Sequence, residues 1–419
     1  VRRPLVQAVL VLATCAACSA TLPVDDLVVA SEAGQDAAGA PRPPTSDAAA
    51  GGSFDGPREA APEALLEASV ADESCSQDLT SDPNNCGACG HACGDGQCFD
   101  GRCGSWPVTT AGNVAELAAD ESYLAWSDGS GGLFETRIGG GSVDRSGASV
   151  LVTTQAGPVL ANGVLAWLSG SSISLAAEGA PGAGAAQAAL AQATTPGNLG
   201  ISADAATSYY LAPDSAGDVT LFGCDLTGPG AACAPLETIG IAATETPAAL
   251  VVTSRLVFSL LDTATPSSDG APPLPPSSRV ICYDIAAQAS NPYFQTGTGF
   301  GPMASDDAYL YWSSGAAPNV SVNRIAVDGG PVQTVAANVA DPVVALATDG
   351  YGVYFSTSGG TAATLWSAPT SGATPPVRLY ATTEASGSIP AIVIAKGTVY
   401  FADVAAGTPP RSKILAIVP

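Results

Sequence analysis

The chain has 419 residues, with 14 basic and 38 acidic side chains, a formal net charge of −24 and a single His. So acidic a surface repels phosphates rather than releasing their counterions, which argues against nucleic acid as a partner, and one imidazole excludes chemistry that needs several. Apolar residues make up 46% but aromatics only 6%, so a core must be built from small and β-branched side chains, over a length that allows about two or three domains.

Residues 1–18 carry the parts of an export signal: basic Arg2-Arg3, an apolar run from Leu5 to Ala13, and a small-residue end. The apolar run is too short for a permanent bilayer-spanning helix. With Cys15 and Cys18 at its end, the segment resembles a bacterial lipoprotein signal, in which a Cys preceded by small residues becomes the lipidated N-terminus. Ala16 and Ala17 favour Cys18 for that role; Cys15, after Leu12-Ala13-Thr14, is the alternative. Ser19 follows Cys18 where inner-membrane retention would resemble Asp, so the resemblance implies export to the outer membrane and cell surface, with membrane contact only through the lipid. Cleavage without lipidation would instead give a secreted or periplasmic protein.

Residues 19–74 hold 11 carboxylates, two Arg and Phe54 as the sole aromatic, among Ala, Pro, Gly and Ser. Such a stretch cannot bury enough apolar surface to offset chain entropy, and it reads as a disordered linker extended by its own charge. A short helix over Glu59–Val70 would not stand alone.

Residues 75–104 contain Cys75, Cys86, Cys89, Cys93, Cys98 and Cys103. An exported segment this small, without an apolar core, needs covalent cross-links, and three disulfides in any of fifteen pairings are possible. Cys86, Cys89 and His91 also have zinc-like spacing, but an oxidising destination and an even Cys count make disulfides the expectation. The pattern Asp78, Asp82-Pro83, Asn85-Cys86-Gly87, Cys89-Gly90, Cys93 resembles a Cys-rich module of exported myxobacterial proteins, which implies origin and location more than chemistry.

From residue 105 to 419 a repeat sets the fold. Its anchors are Tyr123–Trp126, Val164–Trp167, Tyr209–Leu211, Leu256–Phe258, Tyr309–Trp312, Val353–Phe355 and Val399–Phe401. Their spacing is near that of a four-stranded propeller blade. In the clearest unit a third run, Val322–Val327, precedes Asp328-Gly329-Gly330 and a fourth, Pro331–Val335, as a hairpin would. The seventh unit supplies three runs, Ala391–Ala395, Thr398–Asp403 and Lys413–Val418. Trp106–Thr110, which resembles Ser149–Thr154, is the candidate for its outer strand and would close the ring. The expectation is an all-β fold, a seven-bladed β-propeller behind a small disulfide-rich module and a disordered linker. Six or eight blades are the alternatives, because Val159–Ala193 is weakly patterned. Ala125-Trp126-Ser127-Asp128, Tyr311-Trp312-Ser313-Ser314 and Tyr400-Phe401-Ala402-Asp403 resemble the YWTD class of propellers, and NHL-like propellers are equally similar. Both resemblances imply a propeller.

Cys224 and Cys233 flank a turn between a third and a fourth strand, where a hairpin disulfide fits; Cys282 is left as a buried small hydrophobe or a second partner for Cys224. Asp120, Glu121, Asp128, Asp204, Asp306, Asp307, Asp349 and Asp403 offer carboxylates for glycoside chemistry, but most recur at equivalent turns, where capping of the backbone explains them better. Trp126, Trp167, Trp312 and Trp366 fit between blades better than against a sugar. For recognition, the best-placed loop is Asp262–Ser278, with Asp269, Pro272 and Pro275, together with Arg411 in the matching loop of the last unit. Pro stiffens both loops and lowers the cost of ordering them. The expected partner is a protein or glycan, bound without catalysis, cofactor or metal by a monomer. An exported glycan lyase or hydrolase using carboxylates and Tyr is the alternative.

Overall fold

The computed structural model describes residues 79–419 apart from 89, 100, 112–113, 129–131, 139–156, 170–171, 178–185, 190–197, 202–205, 215, 227–232, 241–244, 264–276, 360–361, 384–386 and 407–410. Residues 1–18, with the expected export signal, the acidic stretch 19–74, Cys75 and Cys89 lie outside the described residues.

Seven antiparallel sheets follow one another along the chain beyond the module. The seven sequence anchors form their second strands: Tyr123–Asp128, Val164–Ser169, Thr207–Pro213, Leu256–Thr263, Tyr309–Ser314, Gly352–Thr357 and Thr398–Ala405. Each pairs with an inner strand before it and a third strand after it. The inner strands touch in a closed cycle, from Val114–Ala119 through Val159–Ala161, Asn198–Ile201, Glu245–Val252, Met303–Ser305, Val343–Thr348 and Ile392–Ala395 back to the first. That cycle makes a seven-bladed propeller, in place of six or eight. The weakly patterned second unit is a full blade whose outer strand is the Ala-rich Ala186–Ala189. In the first blade three strands are described, and Ser149–Thr154 falls outside the described residues.

The anchors read as unbroken apolar runs because both sheet faces are buried. Tyr209 and Leu211 pack with Val257 and Leu261 of the fourth blade, whereas Tyr210 and Ala212 pack with Leu168 and Ile173 of the second. Seven such inter-blade cores alternate with the seven sheets. Full burial of one of their Leu or Phe side chains is worth roughly 1.5–3 kcal/mol.

The ring closes as expected. Trp106–Ala111 is the outer strand of the seventh blade, antiparallel to Arg411–Ile417, with Trp106 opposite Ala416 and Ala111 opposite Ser412. In the fifth blade the third and outer strands are Val320–Ala326 and Gln333–Val339, so the outer strand starts later than the run at Pro331. Gly329 and Gly330 have φ of +92° and +129° and lengthen the turn, and Pro331 lacks an amide hydrogen for the ladder.

Within the module, Cys86–Cys98 and Cys93–Cys103 are disulfides. Its motif residues build the loop: Asp82 accepts the Asn84 amide and the Asn85 side chain, Asn85 accepts the Gly90 amide, and His91 Nδ1 lies 2.6 Å from the Cys86 carbonyl. Three of its sulfurs, Cys86, Cys93 and Cys103, lie close enough for a metal, but their disulfides leave no thiolate to ligate zinc.

Candidate recognition face

In an antiparallel meander, the links between blades emerge at the same end as the loops between second and third strands. The opposite end carries the turns from inner to second strand. The first end is here the loop face and the second the turn face.

On the loop face, the second strands end in residues that tie down their own neighbourhood. Asp128 accepts the Gly132 amide at 2.7 Å, and Asp262 accepts the Ser278 hydroxyl at 2.7 Å. Ser314 accepts from the Asn323 side chain at 2.8 Å and Thr357 from the Trp366 indole at 3.3 Å. Asp403 accepts the Tyr380 hydroxyl from the sixth blade at 2.7 Å. In the third blade Asp214 accepts the amides of Ala216 and Asp218 at 2.8 and 3.0 Å. Below these ends sits a mostly buried ion pair: Arg279 donates Nε to Glu245 at 2.5 Å and Nη2 to Glu245 and to the Ile239 carbonyl, both at 2.7 Å. It joins the outer strand of the third blade to the inner and third strands of the fourth.

Turn-face acids cap backbone, as the repeated spacing suggests. Asp120 accepts the amides of Ser122 and Tyr123, Asp306 those of Ala308 and Tyr309, and Asp349 those of Tyr351 and Gly352. Tyr311 and Tyr354 donate their hydroxyls to Asp306 and Asp349, and burial, reinforced by these carboxylates, pushes both phenols above the ordinary tyrosine range. Asp307 accepts the Ser254 amide of the neighbouring blade at 2.9 Å. Arg255 bridges Asp284 and Asp328 across the same boundary, and the Ala287 amide, with Arg255, holds Asp284 below the usual carboxylate range.

One carboxyl sits in neither setting. Glu116, on the inner strand of the first blade, is pushed upward by burial and fills the space over Gly157, where a Cβ would collide with it. Among the described residues no three acidic oxygens converge within 4.8 Å of one another. The tryptophans lie between blades: Trp126 packs with Tyr400 and Ile414, Trp167 with Ala125 and Leu133, Trp312 with Phe258, and Trp366 against Tyr311. Trp126, Trp167 and Trp312 are buried and cannot stack on a sugar. Cys224 and Cys233 face each other across their hairpin and form a disulfide, and Cys282 is buried in the core between the fourth and fifth blades.

Of the residues singled out for recognition, Asp262 is placed as above. Asp269, Pro272 and Pro275 lie outside the described residues, as does Asp204, and Arg411 opens the third strand of the seventh blade. Sequence reading missed Glu245, Arg279 and Glu116. It also missed the Asp–Tyr pairs of the turn face, although the spacing is the same in Asp306–Tyr311 and Asp349–Tyr354.

No protein-family model matches the chain, and neither does any curated protein. Propeller domains are among the solved structures similar to it. The β-propeller domain of Cps50 (Swd1) from Myceliophteria thermophila is 11% identical, with a TM-score of 0.51 over 74% of this chain and 98% of that one. BamB from Moraxella catarrhalis is 10% identical, with a TM-score of 0.41 over 72% and 82%. The β-propeller domain of the Trilobed protease from Pyrococcus furiosus is 10% identical, with a TM-score of 0.46 over 72% and 93%. At these identities the likeness concerns the fold alone.

Proposed function

We propose that the chain is an exported lipoprotein, anchored at the outer membrane through Cys18, whose propeller binds a protein or glycan on its loop face without transforming it. The observation that carries this reading is how the acids are used. Asp120, Asp128, Asp214, Asp306, Asp349 and Asp403 each accept hydrogen bonds from their own or the adjacent blade. Glycoside chemistry needs two carboxyl groups free to face one substrate, whereas these acids are each engaged by backbone amides or hydroxyls of the protein. Asp262 and Ser278, the expected ends of the recognition loop, are paired residues of the second and third strands, and the interval between them, residues 264–276, is the longest between a second and a third strand.

The test is a glycan array and a pull-down against cell-surface proteins, run with the mature chain and with a variant in which residues 264–276 are replaced by a short Gly-Ser linker. Retention of a ligand that the variant loses is expected. Release of unsaturated or new reducing ends from a polysaccharide would establish the lyase or hydrolase alternative instead. Labelling of cells with a palmitate analogue should tag the chain and be lost in Cys18→Ala; loss in Cys15→Ala alone would move the anchor.

A further inference from the structure

The recognition reading gives the disulfide module no part, yet its position in the fold does. We infer that the module is the clasp of the propeller, holding the closing strand Trp106–Ala111 onto Arg411–Ile417 from the end where both strands enter it. The seventh blade is the one described sheet whose pairing joins strands remote in the chain. An outer strand has a partner on one side only, and such a strand is where local opening starts.

Three contacts grip this seam. Cys103, fixed by its disulfide to Cys93, stands three residues before Trp106, and the Gly104 amide between them donates to the Gln97 carbonyl at 2.7 Å. The Trp106 indole lies across the module backbone: a Cβ on Gly94 would come 3.0 Å from its Cη2, and one on Gly96 would come 2.9 Å from its Cε3. Val418, immediately beyond the last strand, packs on Cys86, Cys93, Cys98 and Cys103. Trp106 and Ala416 are paired partners, so the module binds both strands of the seam at one end. Fixing that end restricts the freedom the closing strand gains on detaching, as a cross-link restricts an unfolded chain.

The experiment is hydrogen exchange, read by mass spectrometry on the full mature chain. In Cys93→Ser/Cys103→Ser, exchange across Trp106–Ala111 and Arg411–Ile417 is expected to quicken by roughly tenfold or more, while the third to fifth blades stay protected. Val418→Asp, which keeps every disulfide, should show the same regional pattern, and it decides the matter if the cysteine variant does not fold. Cys224→Ser/Cys233→Ser should loosen only its own hairpin. Unchanged protection of the seam in Val418→Asp, or an equal rise through all seven blades, would overturn the clasp.

Discussion

Tyr380 donates its hydroxyl to Asp403 at 2.7 Å, and its ring lies 4.9 Å from that of Phe401, so one side chain of the sixth blade engages two of the seventh. Asp403→Ala strips a half-buried hydroxyl of its acceptor and is expected to cost about 1–3 kcal/mol, whereas Asp403→Asn keeps an acceptor and should cost less. Urea unfolding of the two variants checks this; equal stability of both with the parent would mean that the contact holds nothing.

Tyr311, Tyr354 and Tyr380 share an alkaline signature. Burial, with Asp306, Asp349 and Asp403 beside them, raises their phenol pKa values above the ordinary value of 10.0. A folded pKa above the unfolded one gives a stabilisation that is complete below the unfolded value and is lost as pH rises through it toward the folded one. Stability should therefore decline from about pH 10 upward. Absorbance titration should show these tyrosines ionising only with unfolding, and Tyr354→Phe should lessen the decline.

Two turn caps on different blades give parallel tests. Asp120 accepts two amides, and Asp306 accepts two amides and the Tyr311 hydroxyl. Asp120→Ala and Asp306→Ala should each cost about 1–3 kcal/mol. Neither change should affect ligand capture on the loop face, where a binding assay with each variant gives the readout.

Removing one side of the mostly buried Arg279–Glu245 pair should be severe. Arg279→Met takes the guanidinium away from the mostly buried Glu245 and is expected to cost about 3–5 kcal/mol, while Arg279→Met with Glu245→Leu should recover much of that loss. Thermal unfolding of the three proteins measures the difference, and an additive double variant would show that the two groups do not act as a pair.

What the sequence revealed and what it hid follow from strand position. The second strands are apolar on both faces, so Tyr209–Leu211 or Val353–Phe355 stands out without any knowledge of the neighbouring blade. Trp106–Thr110 was legible as the closing strand because the unit ending in Arg411–Ile417 lacked a fourth run. The contacts of Glu245, Arg279 and Tyr380 were not legible. They join residues across separate strands or blades, and the pairings of third with outer strands in the third to seventh blades all contain register shifts. Each such bulge reverses which side chains face a given neighbour. The acids were legible as caps because their turns repeat; Glu116 does not repeat, and nothing around it in the sequence marks its burial.

Ring closure also sets an order of events during synthesis. The Val114 amide donates to the Ser412 hydroxyl across 298 residues of chain, and the closing strand meets its partner over a similar span. Loops this long close slowly, and the first part of the propeller to leave the ribosome must wait for one of the last. Until Arg411–Ile417 is made, the strand Trp106–Ala111 has no partner in the seventh blade, so the nascent chain cannot complete the ring. A closing strand taken from the start of the domain thus acts as a timer, with the finished ring available only once Arg411–Ile417 has been made.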